Sequence, residues 1–61
     1  MRIYNTYEDI PEEAIYLGSE NGDGSIQEEL LNYVNEATNP ICLKDYQGIK
    51  HYFDLGVSYD L

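Results

Sequence analysis

From Ile26 to Ala37 the apolar positions Ile26, Leu30, Leu31, Val34 and Ala37 fall on one stripe of a helix. Gln27, Glu28, Asn32, Asn35 and Glu36 face away from it. Ser25, followed three residues later by Glu28, has the form of a capping box, in which each side chain satisfies the other's backbone N–H. Thr38-Asn39-Pro40 closes the stretch, because the residue before a proline is driven toward extended geometry. The pattern predicts a helix over about 26–37.

Beyond it, Ile41 to Leu55 reads as a hairpin around Gly48. A two-residue Gln47-Gly48 turn would set Cys42 opposite Phe53 and Ile41 opposite Asp54. A three-residue turn, Tyr46-Gln47-Gly48, sets Asp45 against Ile49, Leu43 against His51 and Ile41 against Phe53. The second register gathers Ile41, Leu43, Ile49 and Phe53 on one face for the helix to cover, and it is the one expected. Gly48 supplies the left-handed position such a turn requires. The tail Gly56-Val57-Ser58-Tyr59-Asp60-Leu61 alternates again and is expected to continue the sheet after a glycine break.

The front of the chain admits two readings. Arg2 to Tyr7 alternates like a strand. Asp9-Ile10-Pro11-Glu12-Glu13 has the proline and early acids of a helix start, with Gly18 as its C-cap. Ala14 to Leu17 reads equally well as a second short strand. The expected architecture is one α+β domain spanning residues 1–61. In it a small antiparallel sheet, including the 41–55 hairpin, packs on one main helix.

Charge narrows the possible partners. Twelve Asp and Glu against three Lys and Arg give a net charge of −9 in 61 residues. Such a surface repels DNA, RNA and anionic membranes, so none is expected as a direct partner. No apolar run approaches the ~18–20 residues that cross a bilayer, and Met1-Arg2-Ile3-Tyr4-Asn5 turns polar too soon for a signal peptide. The expected location is the cytoplasm. The single Cys42 excludes an internal disulfide and cannot alone make a structural zinc site.

Candidate chemistry is sparse. Ser19-Glu20-Asn21-Gly22-Asp23-Gly24-Ser25-Ile26-Gln27-Glu28-Glu29-Leu30 resembles the calcium loop of EF-hand and dockerin modules, with Asn21, Asp23, Gly24 and Ile26 at the third, fifth, sixth and eighth loop positions. Ser19 replaces the first-position acid, and Leu30 stands where the bidentate carboxylate belongs, with Glu29 one place early. A glycine-rich turn feeding a helix is the favoured reading of that stretch, and no metal or cofactor is expected. His51 and Cys42 are the only pair of nucleophile and base. The expected register puts them on opposite faces of the hairpin. No phosphate-binding fingerprint is present, and so small a chain leaves little room for the ~300 Å³ cleft of a typical substrate site. An enzyme is not expected.

The acids carry the remaining signal. Residues 3–43 hold Glu8, Asp9, Glu12, Glu13, Glu20, Asp23, Glu28, Glu29 and Glu36, with no Lys or Arg among them. Solubility alone accounts for such a charge in many small proteins. The sharper reading is imitation of nucleic acid. A chain of this length has a radius of gyration of about 10–11 Å and spans roughly 27 Å, a distance over which duplex DNA carries about sixteen phosphates, about half of them on one face. Nine carboxylates in one block are of that order. This reading needs them gathered into one continuous negative face.

In size, acidity and tyrosine content the chain resembles the small DNA-mimic inhibitors of phages and mobile elements, the anti-CRISPR and antirestriction proteins. Met1-Arg2-Ile3-Tyr4 and Asp45-Tyr46-Gln47-Gly48 are similar to segments of ArdA-type antirestriction proteins. Those proteins are far longer, so their oligomeric architecture is not carried over. The resemblance implies a non-enzymatic inhibitor whose carboxylates occupy the channel of a basic nucleic-acid-binding host protein. Tyr7, Tyr16 and Tyr33 would be its anchors at the rim. Two alternatives stand beside it: a small structural or assembly subunit, and a degenerate calcium module using Asn21, Asp23 and Glu29.

Overall fold

Consecutive apolar residues in a strand mean that both of its faces are covered. Ile41-Cys42-Leu43 and Tyr52-Phe53 are such runs, and they form the middle of the sheet in the computed structural model, which describes residues 1–56. The elements are β1 (Arg2–Tyr4), a 3-10 turn (Tyr7–Asp9), β2 (Ile15–Ser19), α1 (Glu28–Glu36), β3 (Pro40–Lys44) and β4 (Lys50–Asp54). The sheet order is β1-β3-β4-β2. One helix on a four-stranded sheet makes this an α+β domain. The tail from Val57 onward, expected to extend the sheet, lies outside the described residues.

The hairpin has the expected register. Ile41 pairs with Phe53, Leu43 with His51 and Cys42 with Tyr52. Beyond the strands Asp45 donates its N–H to the Ile49 carbonyl at 3.0 Å, and Gly48 closes the turn at φ +85°. The sheet itself is not wholly antiparallel. β1 runs parallel to β3, with Arg2 beside Ile41 and Tyr4 beside Leu43. The chain crosses through β2 and α1 between these two strands, which is long enough for a parallel return.

The larger correction concerns which face the helix covers. Leu30 and Val34 of α1 pack on Cys42 and Tyr52, with Leu17 and Ile26 at the margin. Ile41, Leu43 and Phe53 point the other way, and Tyr4, Ile10, Ala14 and Leu55 cover them. Ile49 belongs to neither buried cluster. The helix settles on the face that offers two small residues beside Tyr52. Cys42 is one of them, and Gly18 is another, since a Cβ there would stand 2.9 Å from Leu30 Cδ1. The opposite face is closed by the segment between β1 and β2.

That segment resolves the ambiguity at the front of the chain. Only a 3-10 turn and one further turn form before Ala14, and β2 follows as the second short strand. Pairing with β4 satisfies the β2 backbone, and a bulge between Tyr16 and Gly18 turns Leu17 toward α1. Gly18 therefore serves a bulge and not a helix end.

The helix is also shorter than its sequence pattern. Gln27 is its N-cap without any side-chain cap. Ser25 is engaged elsewhere: its N–H and Oγ both donate to Asp23 Oδ1, at 2.9 and 2.6 Å, and Asn21 Nδ2 donates to its Oγ at 2.9 Å. These local bonds compete with the capping box and displace it. Leu31, expected on the apolar stripe, is 43% exposed. Among the described residues no helix is long and apolar enough to cross a membrane.

Candidate functional site

Of the nine carboxylates of the block, seven divide between the two sides of the sheet and two lie in the connection from β2 to α1. Glu8 and Asp9 lie on the 3-10 turn, and Glu12 and Glu13 follow it, all four exposed on the segment that covers Phe53. Glu28, Glu29 and Glu36 are exposed on α1, across the sheet. The single continuous negative face that the sequence suggested is therefore replaced by two. The physical reason is the two-sided burial of β3 and β4, which places one acidic covering segment on each side.

Glu20 and Asp23 fall in the connection from β2 to α1. Both have structural partners. Glu20 Oε1 accepts the Lys50 N–H at 2.9 Å, while the Glu20 N–H donates to the Lys50 carbonyl at 2.9 Å. The two bonds from Ser25 hold the Asp23 carboxyl below the ordinary aspartate range. Among the described residues no group of three or more His, Cys, Asp or Glu is arranged to hold a metal ion.

No Lys or Arg side chain among the described residues pairs with a carboxylate, the one ion-pair contact being His51 Nε2 with Asp45 Oδ2 at 2.9 Å. Arg2 instead lies over the Tyr4 ring, 5.1 Å from its centroid. Glu28 and Glu29 sit in the first turn of α1, where the exposed N–H groups favour negative charge. Glu36 sits in the last turn, where they do not.

Of the three tyrosines expected as anchors, two come together. Tyr7 meets Phe53 edge-on with centroids 6.0 Å apart, and Tyr16 lies 5.3 Å from the same ring at a tilt of 58°. Tyr33 is exposed on α1, on the other side of the sheet. Tyr7, Tyr16 and Phe53, with Leu43, Asp45 and His51, line a largely apolar hollow of about 270 Å³ that is open to solvent. A second hollow of about 370 Å³ shares Tyr7 and Phe53 and adds Glu8 and Glu12. A larger depression of about 670 Å³ lies between the end of α1 and β1, lined by Arg2, Tyr4 and Val34 among others.

The contact of Asp45 with His51 was not read from the sequence, although the register contains it. With Leu43 opposite His51, Asp45 is the diagonal neighbour of His51 on the same face. Asp45 Oδ1 also accepts the N–H groups of Gln47 and Ile49, at 2.9 and 3.0 Å. The His51 bond, followed by those amides, holds the Asp45 carboxyl below its usual range. Cys42 is buried on the helix side, and that burial pushes its thiol up, away from the reactive thiolate. It faces away from His51, so these residues form no nucleophile–base pair.

Against models of protein families, curated proteins and solved structures, the chain matches none.

Proposed function

We propose that the chain is a non-enzymatic, cytoplasmic binding protein that imitates nucleic acid. It blocks a basic nucleic-acid-binding protein of its host, such as a CRISPR or restriction enzyme. The observation that carries this reading is the state of the nine carboxylates. Eight are exposed, Glu20 is half-buried, and none is neutralised by a Lys or Arg among the described residues. Seven of them divide between two sides of the sheet, so the one continuous face expected from the sequence is lost. Mimicry then holds only for a partner that encloses the chain. A flat basic surface would meet only one group, whereas a channel or cleft would meet both, as it meets phosphates on opposite sides of a duplex.

The test is complex formation measured across a salt series, with partners captured from host lysate and eluted by a salt gradient. Raising the salt from 0.01 M to 1 M shortens the screening length from about 30 Å to about 3 Å. Early release of a basic partner, and competition by duplex DNA or RNA, are expected. Neutralising either group (E8Q/D9N/E12Q/E13Q or E28Q/E29Q/E36Q) should weaken the complex if a channel encloses the chain. Affinity that is unchanged from low to high salt overturns the reading.

A second reading, a small structural or assembly subunit, is favoured by a different observation. β2 is an edge strand on which Ile15 and Tyr16 are 63% and 55% exposed. An interface built there would bury apolar surface and resist salt. The same salt series separates the two.

A further inference from the structure

Tyr7 and Tyr16, the expected anchors, also line with Phe53 a hollow whose chemistry goes beyond anchoring. Three aromatic rings line it in different orientations, two of them exposed and the third buried. The faces of such rings are negative, and a cation held among them is attracted without needing any hydrogen bond. Asp45 adds a formal negative charge at the wall, in a chain whose net charge is −9. An uncharged apolar guest would fill the space and gain nothing from either.

The polar atoms of the wall decide which cation fits. Asp45 Oδ1 already accepts from Gln47 and Ile49, and Oδ2 is bonded to His51. A primary ammonium brings three N–H donors, and a guanidinium five, to a wall where Asp45 already takes three bonds and few side-chain acceptors remain beyond the two tyrosine hydroxyls. Most of those donors would lose hydration without replacement. A quaternary ammonium has no N–H to satisfy and carries its charge on a methyl shell. At about 270 Å³ the hollow is smaller than a drug-sized site and suits one head group.

The adjoining hollow indicates how that group arrives. It shares Tyr7 and Phe53 and is bordered by Glu8 and Glu12, both exposed. A basic side chain next to the head group in a peptide would meet these carboxylates. We infer that the Tyr7–Tyr16–Phe53 hollow is a binding site for a trimethylammonium group, presented as a trimethylated lysine in a basic protein segment. The inference does not rest on the mimicry reading, because it needs one cation in an aromatic cage and not an array of carboxylates.

The experiment is a titration of the intact chain followed by NMR of the aromatic resonances. The probes are a short Lys/Arg-containing peptide with one trimethyllysine, the same peptide unmethylated, tetramethylammonium, and tert-butyl alcohol as an uncharged guest of similar shape. The trimethylated peptide should shift Tyr7, Tyr16 and Phe53 saturably and bind about tenfold or more tighter than its unmethylated form. Tetramethylammonium should bind the same rings more weakly than that peptide, and tert-butyl alcohol more weakly still. Tyr16→Leu should cost the trimethylated peptide about tenfold in affinity, with the fold checked by its amide spectrum. Leu31→Ala, on the far side of the sheet, should leave binding unchanged. Equal affinity for methylated and unmethylated peptide, or for tetramethylammonium and tert-butyl alcohol, overturns the quaternary-ammonium assignment. Tetramethylammonium binding as tightly as the trimethylated peptide overturns the peptide source.

Discussion

Leu30 occupies the space that a side chain at Gly18 would need: a Cβ built on Gly18 stands 2.9 Å from Leu30 Cδ1, and the Gly18 backbone sits at φ +147°. One glycine thus sets both the bulge of β2 and the distance at which α1 approaches the sheet. Gly18→Ala is expected to destabilise the fold by about 1–3 kcal/mol, through backbone strain and overpacking together. A double-mutant cycle with Leu30→Ala, read by chemical denaturation, separates the two contributions. Coupling between the sites should remove the overpacking share and leave the strain.

Neighbouring leucines on α1 should behave differently. Leu30 is 6% exposed and Leu31 is 43% exposed. Leu30→Ala should cost about 2–5 kcal/mol, enough to unfold so small a domain under mild conditions. Leu31→Ala should stay within about 0.5 kcal/mol. Urea melts of the two variants test the ranking, and equal losses would contradict the observed seating of the helix.

Asp54 ties the end of β4 to the start of β3. Its Oδ1 accepts the N–H groups of Asn39 and Gly56 at 3.0 and 2.8 Å. Asp54→Ala should accelerate hydrogen exchange at those two amides well before it affects the amide of Cys42 in the central strand. Uniform acceleration across the sheet would show that the carboxylate supports the whole fold and not this corner alone.

Acid should weaken the domain through a defined set of groups. Bonds from Ser25 lower the Asp23 carboxyl, the bond from His51 lowers that of Asp45, and those from Gly56 and Asn39 lower that of Asp54. Each carboxyl binds its proton more weakly folded than unfolded. The stability it contributes is therefore complete above the ordinary aspartate value of about 3.9 and is lost as pH falls through the lower folded value. Protonation of the other acids acts in the opposite sense by relieving repulsion in a chain of net charge −9. Comparison with Asp45→Asn/Asp54→Asn isolates the first effect. The gap in Tm between the native chain and this variant should be present at pH 7 and shrink steadily below about pH 4.

Calcium should leave the melting temperature unchanged at millimolar concentration, with magnesium as the control for ionic strength. Asp23 is bonded to Ser25, Glu20 Oε1 is held by the Lys50 amide, and Glu29 stands one place before the bidentate slot, which Leu30 fills as a buried core residue. A saturable, calcium-specific rise that Asp23→Ala abolished would restore the calcium-module reading.

The hairpin was legible because its information is local. A period of two and one glycine leave a single register in which Ile41, Leu43 and Phe53 share a face. The body of the helix was legible for the same reason. Its start was not, because whether Ser25 caps the helix or closes a turn with Asp23 depends on two local bonding schemes of similar strength. The site was less legible than the fold. Tyr7 and Tyr16 could be named as anchors, but their convergence on Phe53 depends on segments far apart in the chain.

The sequence by itself determined the body of the helix, the hairpin with its register and the surplus of negative charge, all of which follow from composition and from neighbours in the chain. Only the tertiary structure decided which face of the sheet α1 covers, that β1 runs parallel to β3, and that the acids divide into two groups. These outcomes turn on how side chains from distant segments fit. Leu30 finds room over Gly18, while Ile10 and Ala14 close over Phe53, and no pattern of polar and apolar letters specifies that fit.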